Sequence, residues 1–143
     1  MKVAIGSDHG GFDIKEAVIA HLKERGTEYK DFGCYDKSSC DYPEYGRAVA
    51  EAVAGGGFDR GIVICTTGIG ISITANKVRG IRCALCSETV SARLTREHND
   101  ANVLAMGGGM IGPNQAVEIV DTFLDTEFSN MEKHVRRISK IEA

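Results

Sequence analysis

The residues able to do chemistry collect after short apolar runs. Cys65 ends the run Ile62-Val63-Ile64-Cys65, and Thr66-Thr67-Gly68-Ile69-Gly70 follows it. Where such a loop opens a helix, its backbone N–H groups can hold an anion or a developing oxyanion. Cys65 beside it reads two ways, as a small buried side chain or as a thiolate favoured by the helix N-terminus. Asp8 and His9 follow the run from Lys2 to Ile5 and precede Gly10-Gly11. Two polar groups at a strand end suit a site, and Asp8 also suits the cap of the next helix. Residues 96–102 read Arg-Glu-His-Asn-Asp-Ala-Asn. His98 is the acid–base candidate there, and Asn99 and Asn102 suit a turn that points amides at a ligand. Lys133, His134, Arg136, Arg137 and Lys140 make a basic patch, with His134 and Arg137 on one helix face. That patch reads as a phosphate clamp or as a solvated face, and it is too small for nucleic acid. Cys83 and Cys86 form a C-x-x-C around Ala84-Leu85 without a second pair, which fits a buried strand end better than a metal or redox site. Cys34 and Cys40 carry no partner pattern and read as incidental. The glycine spacing matches neither G-x-x-x-x-G-K-[ST] nor G-x-G-x-x-G, so a nucleotide site is a weak reading.

These residues need elements to place them. The apolar runs are near-continuous rather than alternating, as in strands buried on both faces. Helical stripes lie between them: Ile14, Ala17, Val18, His21, Leu22, then Tyr45, Val49, Ala50, Val53, then Ala116, Val117, Val120, Phe123, Leu124. The pattern predicts strands at 2–6, 28–32, 61–65, 81–85 and 102–106. It predicts helices at 11–25, 42–54, 70–77, 88–98 and 113–125, and a tail helix at 130–141. Capping boxes are expected at Asp41/Glu44 and Ser129/Glu132, and Met131, Val135 and Ile138 are expected to face the protein. The fold class is therefore α/β: a Rossmann-like three-layer α/β/α sandwich with a five-stranded parallel sheet and an extra C-terminal helix. Ligands in such folds bind beyond the C-terminal strand ends, so the candidate groups are expected in loops around one sheet edge.

The chain has 143 residues and reads as a single domain, 1–143, with a folded surface of roughly 7,000 Å². It is 43% apolar and 26% charged, with 20 acids against 17 bases. That balance points to neither nucleic acid nor an anionic membrane. There is no apolar run long enough to span a bilayer, and the N-terminus does not read as a signal peptide. An odd cysteine count without a disulfide framework suits a reducing, cytoplasmic compartment.

Taken together, Gly6-Ser7-Asp8-His9-Gly10-Gly11-Phe12, Asp41-Tyr42-Pro43, residues 61–77, Gly80-Ile81-Arg82 and residues 96–104 resemble the type B ribose-5-phosphate isomerase family, which includes galactose-6-phosphate isomerases. The resemblance runs over essentially the whole chain. It implies a metal-free, cofactor-free aldose–ketose isomerase of a sugar phosphate, with D-ribose 5-phosphate favoured. Other aldoses, such as allose 6-phosphate, galactose 6-phosphate or a free sugar, are the alternative, followed by a non-enzymatic nucleotide-binding module. It implies Cys65 as the base that moves a proton between C2 and C1. Thr67 with the loop Thr66, Gly68, Ile69 and Gly70 would stabilise the enediolate. His98 would open the ring, with Asp8 as its acidic partner. Tyr42 would line the sugar pocket and Asn99 would bind the sugar. His9, Lys133, His134 and Arg137 would form the phosphate end. The family builds its sites at a homodimer interface, the His98 loop coming from the second chain; whether dimers pair into tetramers is left open. Three departures stand out: Thr66 replaces a usual glycine, Gly109 stands where arginine is frequent, and Lys133 stands where arginine is common. Restoring arginine at 109 is therefore expected to tighten phosphate binding.

Overall fold

The computed structural model describes residues 1–143. The chain runs β1 (Lys2–Ser7), a 3-10 turn (His9–Gly11), α1 (Phe12–Glu24), β2 (Glu28–Asp31), α2 (Tyr42–Ala54), β3 (Arg60–Cys65), α3 (Ile69–Asn76), β4 (Cys83–Leu85), α4 (Thr89–Asn99), β5 (Val103–Gly107), α5 (Pro113–Asp125) and α6 (Glu132–Ile141). All five strands join one parallel sheet in the order β2-β1-β3-β5-β4. Its accessible surface is 7058 Å², the size expected from the mass.

Period-two alternation splits the core in two. Val3, Ile5, Ile62, Ile64, Leu104 and Met106 face α1, α4 and α5. Ala4, Val63, Cys65, Val103 and Ala105 face α2 and α3. The central strands thus carry apolar side chains on both faces, which is why the sequence shows runs instead of alternation. From β1 the chain steps one way to β2 and the other way to β3, so the order reverses between β1 and β3. Loops leaving two such strands diverge and open a crevice above the sheet.

Edge strand β4 is short because side chains replace its neighbours. The Asn76 amide donates to the Cys83 carbonyl at 2.9 Å and accepts from the Cys83 N–H at 2.8 Å. Asn102 holds the other side, donating to the Gly80 carbonyl and accepting from the Arg82 N–H, both at 2.9 Å. Asn102 therefore supports β4 and does not point its amide at a ligand. The strand begins at Cys83, not at Ile81 as the apolar run suggested.

Neither expected capping box forms. The Asp41 side chain makes no cap bond, and Glu44 approaches only through its N–H, 3.3 Å from the Asp41 carbonyl. Helix α6 starts after Met131, and the Ser129 hydroxyl accepts the Met131 N–H at 3.2 Å and lies 2.6 Å from His134 Nδ1 instead of capping at Glu132. The buried position of α6 is His134, whereas Met131 and Val135 are each half exposed. This amphipathic face is polar where the sequence pattern placed apolar residues.

Candidate active site

The crevice between β1 and β3 holds a cavity of about 400 Å³ lined by Asp8, Tyr42, Cys65, Thr66, Thr67, Ile69 and Gly70. Cys65 is buried, and its sulfur accepts the Gly68 N–H at 3.2 Å. Gly68 has φ 79°, and a Cβ there would lie 2.7 Å from the Met106 carbonyl carbon and 2.9 Å from the Gly107 nitrogen. Only glycine combines that backbone with that approach, and the turn it makes aims the N–H back at sulfur. The Thr67 hydroxyl accepts the Ile69 N–H at 3.1 Å. Two loop N–H groups are thus consumed within the loop. The first turn of α3 leaves the N–H groups of Gly70 and Ile71 without a carbonyl of a preceding turn.

Asp8 fills both roles open to it. Its buried carboxylate accepts the Gly11 N–H at 3.1 Å, capping the 3-10 turn, and it also lines the cavity. Tyr42 opens α2, and its ring lies so close over Gly70 that a Cβ there would fall 2.6 Å from it. His9 stands beside this group, its Nδ1 accepting the Cys40 N–H at 3.2 Å.

Thr66 lines the cavity and also packs away from it. Its side chain fills the space between two glycines: a Cβ at Gly10 would collide with its Oγ1, and one at Gly109 would lie 2.9 Å from its Cγ2. The departures at 66 and 109 are therefore one steric event, and arginine at 109 would have to displace Thr66. That reverses the expectation that Gly109→Arg alone tightens phosphate binding.

The remaining candidates form a second group. His98, Asn99, Lys133, His134 and Arg137 line a cavity of about 370 Å³ with Met131, Ile138 and Ile141. The His98 and His134 rings are 4.5 Å apart. Burial lowers the His134 pKa, and the charges of His98, Lys133 and Arg137 push it the same way against a small opposing effect of Glu97.

Sequence reasoning missed the residues that hold this group. Arg96 is fully buried and donates to the carbonyls of Thr126 (3.1 Å) and Ala101 (2.6 Å) and to Asp100 (2.7 Å). Arg82 donates to the carbonyls of Asn99 (2.8 Å) and Asp100 (2.9 Å) and reaches Glu142 beyond α6 (2.9 Å). Ser129 donates its N–H to the Glu97 carbonyl (3.2 Å). The one available signal was the long, charged run around Arg96.

The two groups share no lining residue. Their separation follows from topology. In a parallel sheet every strand ends at one edge, and each helix carries the chain back to the other. Cys65 and Asp8 follow strand ends. His98 and Asn99 close α4, where the chain is about to enter β5, so they lie at the edge where strands begin. The expectation of one shared sheet edge is therefore wrong for His98, Asn99 and the α6 residues stacked on them.

A family model described as Ribose/Galactose Isomerase matches residues 3–141. Ribose-5-phosphate isomerase B of Escherichia coli strain K12 is 49% identical over 99% of this chain and 95% of its own. Galactose-6-phosphate isomerase subunit LacB of Clostridium acetobutylicum is 40% identical over 99% of this chain and 82% of its own. A solved structure of ribose-5-phosphate isomerase B from Clostridium thermocellum has a TM-score of 0.97 at 54% identity, covering 99% of this chain and 95% of that one. With the same fold and a family match over residues 3–141, the chain belongs to the ribose/galactose isomerase family.

Proposed function

We propose that this protein interconverts D-ribose 5-phosphate and D-ribulose 5-phosphate without a metal or other cofactor. The observation that carries this reading is the buried Cys65 sulfur beneath the start of α3, in one cavity with Asp8, Thr67 and Tyr42. A proton on C2 of an open-chain aldose needs a base close to one carbon and electrophilic help at the neighbouring oxygen. Cys65 as thiolate takes the C2 proton. The electron pair left behind forms the C1–C2 double bond, and the aldehyde oxygen becomes an oxyanion beside Thr67 and the free N–H groups at the start of α3. The thiol returns the proton to C1, and the O2 proton passes to O1, leaving a ketone at C2.

In the same reading, His98 opens the furanose by moving a proton from the O1 hydroxyl to the ring oxygen, with Asp8 opposite. Asn99 and Tyr42 contact the sugar, and Thr66, Gly68, Ile69 and Gly70 shape the loop. His9, Lys133, His134 and Arg137 hold the phosphate, whose binding energy positions the reacting carbons. Since the Cys65 and His98 groups occupy opposite sheet edges, each complete site takes one group from each of two copies. Exposed apolar side chains support such a dimer: Tyr42 and Ile69 (52% exposed) line the cavity, and Ile73 (55%) on α3 and Leu85 (44%) on β4 add to them. We place the enzyme in the cytoplasm, which suits a chain whose five cysteines carry no structural disulfide.

The test is a panel of phosphorylated and free aldoses in deuterated water, followed by NMR. Ribose 5-phosphate is expected to yield ribulose 5-phosphate with deuterium at C1, and Cys65→Ala to lower that rate by about a thousandfold. No turnover of five- or six-carbon sugar phosphates at millimolar concentration would overturn the reading.

A further inference from the structure

The segment between β2 and α2 carries two thiols that isomerisation does not use. Both are tied to the connection between β1 and α1. The Cys34 N–H donates to the Ser7 carbonyl at 2.5 Å, and the Cys34 sulfur lies 4.0 Å from the Ser7 hydroxyl. The Cys40 N–H donates to His9 Nδ1 at 3.2 Å, and its sulfur lies 3.8 Å from that nitrogen. Ser7 and His9 are two residues apart, so the anchor points are separated by roughly 6–7 Å of extended chain. A disulfide needs its two cysteine Cα atoms about 4.4–6.8 Å apart, and anchors this close hold Cys34 and Cys40 as neighbours. The Cys34 thiol donates to the Asp36 carbonyl at 3.2 Å, and its pKa is raised first by burial and then by the neighbouring Cys40. The other three cysteines are engaged elsewhere: Cys65 at the end of β3, Cys83 in edge strand β4 and Cys86 just beyond it.

We propose that Cys34 and Cys40 are a dithiol site that a low-molecular-weight disulfide oxidises to an intramolecular disulfide. Cys40 is the more exposed of the two and is the entry point, since Cys34 is buried. The Cys40 thiolate attacks one sulfur of the incoming disulfide and forms a mixed disulfide. The departing thiolate takes up the proton that Cys40 gave. Cys34 then loses its proton, attacks the Cys40 sulfur and expels the second small thiol. Two protein thiols are oxidised to one disulfide, and one small disulfide is reduced to two thiols. The bond draws the Cys40 sulfur from His9 Nδ1 toward Cys34. A consequence for activity rests on the proposed role of His9 at the phosphate end; the covalent step does not.

The test incubates the full-length protein with excess oxidised glutathione and maps thiols by mass spectrometry. Trypsin cleaves after Lys37, between the two cysteines, so only a disulfide keeps their peptides together. The expected result is a linked pair of peptides, residues 31–37 and 38–47, in protein lighter by two hydrogen atoms, released by dithiothreitol. Cys34→Ser is expected to keep glutathione on Cys40, because nothing resolves it. A lasting glutathione adduct on Cys40 of the unmodified sequence, or two free thiols after Cys65 has reacted, would overturn the proposal. The oxidised protein is expected to show a raised KM for ribose 5-phosphate, and an unchanged KM would overturn the link to His9. If ribose 5-phosphate is not turned over at all, the peptide map still decides the covalent site.

Discussion

Thr66 follows Cys65 directly, and its side chain occupies the gap that Gly10 and Gly109 leave open. A Cβ at 109 would sit 2.9 Å from its methyl and 3.1 Å from its carbonyl oxygen. The methyl can rotate away but the carbonyl cannot. Arginine at 109 therefore overpacks this corner at a cost of roughly 1–3 kcal/mol. We expect Gly109→Arg alone to lower Tm by about 3–10 °C without tightening inorganic phosphate. Thr66→Gly with Gly109→Arg removes the methyl contact and keeps the carbonyl one, so it is expected to recover part of that stability and to bind phosphate more tightly, as calorimetry would show. Gly68 makes the opposite point, since no compensating change is available to it. Its φ of 79° and the backbone of Met106 and Gly107 both exclude a Cβ. Gly68→Ala is expected to lose about 2–4 kcal/mol in urea unfolding, from left-handed strain plus overpacking.

At the scale of elements, the docking of α6 on α4 decides the second cavity. Ser129 binds α4 through the Glu97 carbonyl, accepts the Met131 N–H at 3.2 Å and meets His134 Nδ1 at 2.6 Å. The hydroxyl thus ties the turn before α6 to the His134 ring, with one lone pair on the Met131 N–H and its remaining donor and acceptor capacity facing Nδ1. Ser129→Ala is expected to raise KM for ribose 5-phosphate with kcat nearly unchanged, and Ser129→Thr to restore it. The lowered His134 pKa has a thermodynamic sign. The unfolded ring protonates near its ordinary value of about 6.5, the folded one only below that. Protons therefore favour the unfolded state as pH falls from about 6.5 through the depressed value, and nothing is lost above it. Urea midpoints measured across that range are expected to fall less steeply for His134→Gln than for the parent. Little of this docking was legible in the sequence. Strands and helices were, because apolar runs in Ile62–Ile64 or Leu104–Met106 state their burial directly. So was the Cys65 loop, because glycines after a strand announce a turn. The α6 face was not, since its buried member is a histidine held by a serine, and no apolar period marks it. The capping boxes failed for the same reason: Ser129 and Asp41 have the right spacing, and tertiary partners or geometry override it.

For the whole molecule, the site candidates lie at both edges of one parallel sheet. Helix α4 must carry the chain from the end of β4 to the start of β5, which fixes His98 at the edge opposite Cys65. No rotamer change or loop movement of ordinary size brings those groups together within one chain. The proposed homodimer solves the problem, because a two-fold axis would set the Cys65 edge of each copy against the His98 edge of the other. The consequence is measurable without a structure of the dimer. Cys65→Ala and His98→Ala each disable both sites of their own homodimer. Mixed after reversible dissociation, the variants form hybrids in which one site holds both altered residues and the other holds none. Random pairing makes half the dimers hybrids, each with one of its two sites intact, so activity per chain is expected to return to about a quarter of the parent level. If each chain completed its own site, no mixture would recover anything. Recovery should also depend on protein concentration and vanish when dissociation is prevented before mixing, because complementation then needs subunit exchange and not merely two proteins in one tube.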